Sequence, residues 1–456
     1  MMTIDRTTAP QPGPPRPYRF PHVVRRTLEN GLRLLVAENH NAPLVSMRTM
    51  MRSGADYDTP ELAGLASLTG ELLDEGAGSR DAIRLAEDLG LLGASLGSGA
   101  DWDASYVSVD SLSRTFDESM AIFADVNRRP VLPESSLDRV RSERLMELLQ
   151  QKDDPGTIAG KRFSKLIYGG GTYGNTVIGN PESVARISVG DVRRYFATHY
   201  VPNNGSIVVA GDVEAERALD ALTRFFGDWP MVEVPPRPQI SPIANEPSRI
   251  YLIDRPTAVQ SEIRVGHLGI ARSTEDYFAL SVMNALLGGV FNSRINLNLR
   301  EKNGYTYGAR SIFAFRRQAG PFVVSAPVRN EVTREAVTEV LSELARIRTG
   351  DVEERELEDT KNYIMGSFPS TVQSSSDIAG RLLDMELNNL PQDYFDRYRE
   401  NIGGVSKAAV EHVAQKYIDP ENAIIVIVGN AAQIREPLGT LGMAIHELDI
   451  EGQPVA

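Results

Sequence analysis

The six histidines of this chain are the residues best suited to metal or acid–base chemistry, and their spacing argues against a shared metal site. Two histidines on one helix face must lie three or four residues apart, and no pair meets that condition. The histidines are His22, His40, His199, His267, His412 and His446. The chain has no cysteine, which excludes thiolate zinc sites, cysteine nucleophiles and disulfides.

Other chemical motifs are weak. A serine–histidine–aspartate triad stays open, because its members need not be close in sequence. The glycine run at 169–171 is not followed by the lysine–serine pair of a phosphate-binding loop. We therefore interpret that run as an ordinary loop.

Length and charge set limits on the class of protein. The chain has 456 residues, of which 41% are apolar and 24% charged, as is usual for a globular protein of several domains. Its net charge of -13 argues against a nucleic-acid partner, since binding to a phosphate backbone needs a basic surface.

The N-terminus and the hydropathy pattern bear on location. No run of about 18 apolar residues occurs, so we predict no membrane span. The proline-rich residues 1–22 have no apolar signal core and are expected to form a flexible arm. We expect a cytoplasmic protein. A periplasmic one is the alternative, if a signal peptide has been removed.

An internal repeat organises the chain. Residues 187–211 and 405–429 share one pattern: a helix, a Pro/Asn turn, an aliphatic strand and a glycine. Upstream, the sequence IAGKR at 158–162 resembles IAGRL at 378–382, at nearly the same separation. Two matches in the same order predict two halves derived from one ancestral unit.

Periodicity predicts that each half mixes strands and helices in an α+β sandwich, with helices packed on one sheet face. The predicted strands are 32–39, 45–54, 104–112, 261–270 and 321–328, and the predicted helices are 64–76, 81–90, 133–155, 277–289 and 332–350. Residues 232–248 hold five prolines and are interpreted as a linker. The predicted domains are 23–231 and 249–456.

The order of these segments resembles the pitrilysin/insulysin superfamily of zinc peptidases. The likeness runs from about residue 25 to 442, and is greatest to half-length members related to mitochondrial processing peptidase. It rests on NGLRLLVAEN, VSMRTMMRSGADYDTPELAGLA and YVPNNGSIVVAGDV. The resemblance implies two homologous α+β domains, which form half of a clamshell that two such chains close.

The resemblance also implies where a zinc site would lie. Active members carry His-x-x-Glu-His on the first helix, where two histidines one turn apart bind zinc and the glutamate serves as general base. Here the ligand positions hold Ser67 and Glu71, and the base position holds Gly70. Only the distant ligand position, Glu147, keeps its carboxylate. We expect no metal in this chain and a metal-free cavity lined by Ser67 and Glu71. The Glu71–Glu147 pair offers at most weak binding to a hard cation.

The second half keeps the family's C-terminal signature in LGGVFNSRINLNLREKNGYTYGARS, from Leu287 to Ser311. In active members an arginine and a tyrosine seven residues apart contact the bound peptide near zinc. Arg300 and Tyr307 occupy those positions. A guanidinium can bind carbonyl oxygens, and a phenol can donate to developing oxyanion charge. The alternative is structural, with the arginine paired to a neighbour such as Glu301 and the tyrosine in a sheet.

The edge strand on which substrate pairs in active members is altered. Its expected asparagine is Gly97, within the run from Gly93 to Val109. Peptide docking on this chain's own first domain is therefore doubtful.

These features favour a noncatalytic subunit of a heterodimeric bacterial zinc peptidase that degrades peptides. It would be inactive alone. Zinc would belong to a homologous partner with the His-x-x-Glu-His motif, and this chain would supply Arg300 and Tyr307. The alternatives are a structural or assembly core subunit and a homodimeric peptide-binding protein without peptidase activity.

Overall fold

The computed structural model describes residues 18–240 and 247–455, and within them the chain forms two six-stranded sheets flanked by helices. The strands are β1 Val23–Thr27, β2 Arg33–Glu38, β3 Leu44–Met51, β4 Gly76–Ala77, β5 Arg80–Asp81, β6 Ser95–Ala100, β7 Ser105–Leu112, β8 Gly205–Gly211, β9 Arg249–Asp254, β10 Gln260–Leu268, β11 Arg310–Phe313, β12 Pro321–Arg329, β13 Ile424–Gly429 and β14 Ile445–Leu448.

The helices in the same residues vary from single turns to four or five turns. They are α1 Leu65–Glu71, α2 Ala82–Leu92, α3 Phe116–Arg128, α4 Glu134–Gln150, α5 Pro155–Tyr168, α6 Pro181–Arg186, α7 Val189–His199, α8 Ala215–Phe226, α9 Tyr277–Asn284, α10 Arg294–Asn296, α11 Thr333–Ile347, α12 Glu354–Ser367, α13 Ser375–Leu387, α14 Tyr398–Gly403, α15 Lys407–Tyr417 and α16 Ala431–Gly439. Two π-helical segments, Ala285–Gly289 and Leu297–Lys302, continue α9 and α10. No helix in the described part is both long and apolar enough to cross a membrane.

The two sheets confirm the repeat. The first has the order β1-β2-β8-β3-β7-β6, and the second, taken in the same direction, has β14-β9-β13-β10-β12-β11. Five strands correspond, with the same parallel pair (β2 with β8, β9 with β13) followed by antiparallel neighbours. Only the outermost strand differs, because β1 pairs antiparallel and β14 pairs parallel.

Each sheet is covered on one face by helices of its own half and on the other by a helix of the opposite half. Helix α13 packs on β8 and β3 of the first sheet, and α5 packs on β13 and β10 of the second. These are the helices that carry the repeated IAGRL and IAGKR sequences. Because both faces are covered, the central strand β8 is buried along its whole length and has an aliphatic sequence without alternation.

Polar contacts hold the start of the interdomain linker in place. The guanidinium of Arg237 contacts Asp56 and donates hydrogen bonds to the carboxylate and carbonyl oxygens of Asp103, at 3.3 and 2.9 Å. The backbone N–H of Arg317 donates to the same Asp103 carboxylate at 3.1 Å. Residues 241–246 of the predicted linker and 1–17 of the predicted arm lie outside the described residues.

Candidate functional site

Helix α1 is the helix on which the family's zinc motif would lie. It follows Gly64, whose φ of 99° is a left-handed conformation suited to glycine. The buried Asp58 carboxylate accepts hydrogen bonds from the backbone N–H groups of Gly64 and Ala66, at 2.9 and 3.0 Å. The leucines of α1 and of the turn that follows it are all buried: Leu65, Leu68, Leu72 and Leu73.

The zinc-motif positions converge on one arginine. Arg144, on α4, donates from Nη2 to Ser67 Oγ at 3.0 Å and contacts the Glu71 carboxylate with the same nitrogen. Its Nε lies 3.2 Å from Glu147 Oε2, and its Nη1 donates to the carbonyl oxygen of Ile178 at 3.1 Å. The arginine side chain is only 2% exposed, whereas those of Glu71 and Glu147 are 40% and 48% exposed.

We expected a metal-free cavity lined by Ser67 and Glu71. The guanidinium of Arg144 occupies this space instead. Burial raises the pKa of Glu71, and the adjacent Arg144 opposes that rise. The serine, both carboxylates and the Ile178 carbonyl already have a cationic donor as partner. A zinc ion does not fit there, because serine is a poor zinc ligand and the arginine charge would repel the ion. No cluster of three metal-ligating side chains occurs in residues 18–240 and 247–455.

The general-base position is also closed sterically. A Cβ atom built on Gly70 would lie 2.6 Å from the Cα atom of Gly99, on the adjacent strand β6. Helix and strand are therefore in direct backbone contact. A glutamate at this position could not be accommodated without moving the strand or the helix.

Strand β6 is the outermost strand of the first sheet, as predicted for the edge strand. Residues 93–97, GASLG, match the G-x-S-x-G pattern of serine hydrolases. However, Ser95 begins a strand after the end of a helix, and the nucleophile turn of those enzymes runs from a strand into a helix. The structural context thus differs from that of a nucleophilic serine.

In the second half Tyr307 is exposed, whereas Arg300 is half-buried. The guanidinium carbon of Arg300 is 4.5 Å from the ring centre of Phe291, and its Nη1 is 3.4 Å from Glu301 Oε1. The Tyr307 side chain precedes β11, is 91% exposed, and makes no hydrogen bond to any described residue. The structural alternative thus holds for Arg300, which lies close to Glu301. It does not hold for Tyr307, which lies outside the sheet.

Buried polar residues fix the backbone that carries this pair. The Asn296 side chain donates to the carbonyl oxygen of Phe291 at 2.7 Å and accepts from the N–H of Ala309 at 3.0 Å. Arg294 donates to both carboxylate oxygens of Glu356, at 2.8 and 2.7 Å. The bonds of Asn296 tie together the segments that precede and follow the π-helical turn of Arg300, and Arg294 joins α10 to α12.

Sequence reasoning missed both Arg144 and Asn296. Arg144 lies three residues before Glu147 on one helix, a spacing at which side chains meet. That spacing was the available signal for the ion pair. The contact of Arg144 with α1 depends on how α4 packs against α1. The sequence pattern does not predict this packing.

Comparison with known proteins agrees with this geometry. The family described as Insulinase (Peptidase family M16) matches residues 33–181, and the one described as Peptidase M16 inactive domain matches residues 186–364. The boundary between the two matches lies within the first half, before α7.

Similar proteins match nearly the whole chain. An uncharacterized zinc protease of Streptomyces coelicolor is 23% identical, over 89% of each chain. The non-peptidase homolog YmxG of Helicobacter pylori is 21% identical, over 87% of this chain and 91% of its own. A crystal structure of a peptidase M16 inactive domain from Pseudomonas fluorescens is 28% identical with a TM-score of 0.84, over 90% of this chain and 98% of that one. This chain belongs to the M16 (pitrilysin/insulysin) peptidase superfamily, as a noncatalytic half-length member.

Proposed function

We propose that this chain is the noncatalytic subunit of a two-chain zinc peptidase that degrades peptides. The observation that carries the proposal is an asymmetry between its halves. In the first half Arg144 fills the position of the zinc site, whereas in the second half the Tyr307 phenol is 91% exposed and without a described partner. The second half thus presents a free phenol to a ligand, whereas the zinc position of the first half cannot activate water.

The two second-half residues have complementary roles in this proposal. The Arg300 guanidinium binds backbone carbonyl oxygens of an extended peptide, because its planar fork presents several N–H donors. The Tyr307 phenol donates a hydrogen bond to the oxygen on which negative charge develops. Both are substrate-binding groups that act across the clamshell, on a peptide held at the partner's metal centre.

The partner is a homologous subunit that carries the His-x-x-Glu-His motif and holds the zinc ion. This chain binds no cofactor of its own. The likeness to a non-peptidase homologue and to an inactive domain of the M16 family supports this division of labour.

The test is reconstitution with a histidine-motif homologue encoded in the same organism. Neither chain alone should hydrolyse a quenched fluorescent peptide, and the mixture should. In the mixture, Arg300→Ala and Tyr307→Phe should each lower kcat/KM by up to about 10²–10³-fold, the cost of losing one oxyanion donor. Lys302→Ala is the matched control, since Lys302 is exposed on the same segment, and should retain normal turnover.

Three results would reject the proposal. Normal turnover of both variants in an active mixture would remove the assigned roles of Arg300 and Tyr307. Native mass spectrometry that shows only this chain in complexes purified from the source organism would favour the homodimeric peptide-binding protein. A stable hetero-complex without peptidase activity would favour an assembly subunit.

A further inference from the structure

A cavity lies away from the Arg300–Tyr307 surface. It has a volume of about 350 Å³, is open to solvent on one side, and is lined by α5, the end of α4, the loop before α6 and the C-terminal turn. That volume is within the range of small-molecule sites. No part of the zinc-peptidase proposal uses this cavity.

One wall of the cavity is a cationic face of α5. The lining residues of this helix follow helical spacing and are Ile158, Lys161, Arg162 and Lys165. They fall at i, i+3, i+4 and i+7, so they share one face. Burial lowers the pKa of each of the three basic side chains. The fold therefore holds three cations where water stabilises them incompletely.

These cations lack strong internal partners. Within the described residues neither Lys161 nor Lys165 lies within 4.0 Å of a carboxylate, and Lys165 donates only to the amide oxygen of Asn175, at 3.2 Å. A fourth cation on the wall, Lys152, pairs with Glu451 at 2.9 Å. In a chain with net charge -13, a pocket with unpaired basic groups is a local exception that favours anions.

Part of the lining is apolar, beside polar and acidic residues that include Asn175, Asn180 and Glu182. Leu148 and Ile158 are nearly fully buried, and Ile450 lines the cavity from the C-terminal turn. A simple inorganic anion would leave this apolar part in contact with water. A molecule with both an anionic group and an apolar portion would satisfy both surfaces.

We propose that this pocket binds a small organic anion. A phosphate or carboxylate group lies between Lys161 and Lys165, and an apolar portion packs against Leu148, Ile158 and Ile450. The inference does not depend on the proposed peptidase role, because none of these residues belongs to the Arg300–Tyr307 surface.

The test is isothermal titration of the full chain with three probes: hexyl phosphate, hexanoate and inorganic phosphate. At least one hexyl probe should bind more tightly than inorganic phosphate, and its affinity should fall with added salt. Stronger binding of hexyl phosphate assigns a phosphate-bearing ligand, and stronger binding of hexanoate assigns a carboxylate.

Variants then locate the site. Lys161→Gln and Lys165→Gln should each weaken binding about tenfold, or about 1.4 kcal/mol, whereas the exposed control Lys302→Gln should not. Thermal melts verify that the variants are folded. The proposal is overturned if no probe binds at millimolar concentration, if inorganic phosphate binds as well as both hexyl probes, or if folded variants bind as the control does.

Discussion

The guanidinium of Arg144 donates a hydrogen bond to Ser67 at 3.0 Å, across the interface between α4 and α1. The same group contacts Glu71, one helical turn further along α1. The two helix positions that the resemblance assigns to zinc ligands are thus joined by the guanidinium of Arg144.

Replacing Arg144 should destabilise the fold. In Arg144→Met the carboxylate of Glu71 loses its cationic partner, and the Ile178 carbonyl loses a donor. Removing one member of a buried ion pair costs about 3–5 kcal/mol. Because Glu71 is 40% exposed, we expect a smaller loss of about 2–3 kcal/mol, measured by urea unfolding.

Arg139→Met is the matched control on the same helix. Arg139 is 51% exposed and pairs with Glu75 and Glu143, so its loss should cost less than about 1 kcal/mol. Equal destabilisation by the two variants would contradict the role given to Arg144.

A methyl group at Gly70 should also be costly. Gly70→Ala places a Cβ 2.6 Å from Gly99 Cα, and the backbone of β6 must move. We expect destabilisation of about 1–3 kcal/mol from overpacking. Gly90→Ala, in the interior of α2 with open space around it, should be neutral or stabilising by up to about 1 kcal/mol. Thermal unfolding of both variants tests the contrast, and a harmless Gly70→Ala would refute the close-contact argument.

The two halves should not be stable apart. Residues 18–231 alone would expose the face of the first sheet formed by Leu35, Met50 and Val208, which α13 and its neighbours cover. We expect each half expressed alone to aggregate or to bind the dye ANS strongly. Co-expressed halves should associate into a folded complex without added dye binding. A monomeric, cooperatively folded first half would show that this half does not need α13 of the second half for its stability.

Acid should weaken the fold through His199. Burial lowers its pKa to about 4, and Nδ1 lies 2.9 Å from Ser53 Oγ. The folded state therefore binds the proton less readily than the unfolded state, whose ordinary pKa is about 6.5. This contribution is fully present above about pH 6.5 and is lost as the pH falls toward 4. The loss is up to about 3 kcal/mol.

The measurement is unfolding free energy against pH for the wild type, His199→Gln and His412→Gln. The His199 variant should show a shallower decline between pH 6.5 and 4, whereas the exposed His412 control should follow the wild type. Parallel curves for the wild type and His199→Gln would exclude this histidine as a source of acid sensitivity.

Local sequence pattern was sufficient for some of the strands and helices and for the repeat. The aliphatic runs of β8 and β13 identified two equivalent central strands, and the IAG sequences identified two equivalent helices. The pattern of an amphipathic helix does not show which sheet the helix covers. The sequence therefore could not predict that α5 packs on the second sheet and α13 on the first. Arg144 was missed for the same reason, since 77 residues separate it from Ser67.

Helix α13 belongs to the second half but covers the first sheet, so it also determines when that sheet becomes covered during synthesis. Strand β8 completes the first sheet at Gly211, but α13 begins only at Ser375, so 164 further residues must be translated before that sheet is covered. At about 5–20 residues per second this takes roughly 8–33 seconds. A nascent chain thus leaves the ribosome with an uncovered apolar sheet face, and this is the stage at which chaperones have a surface to bind.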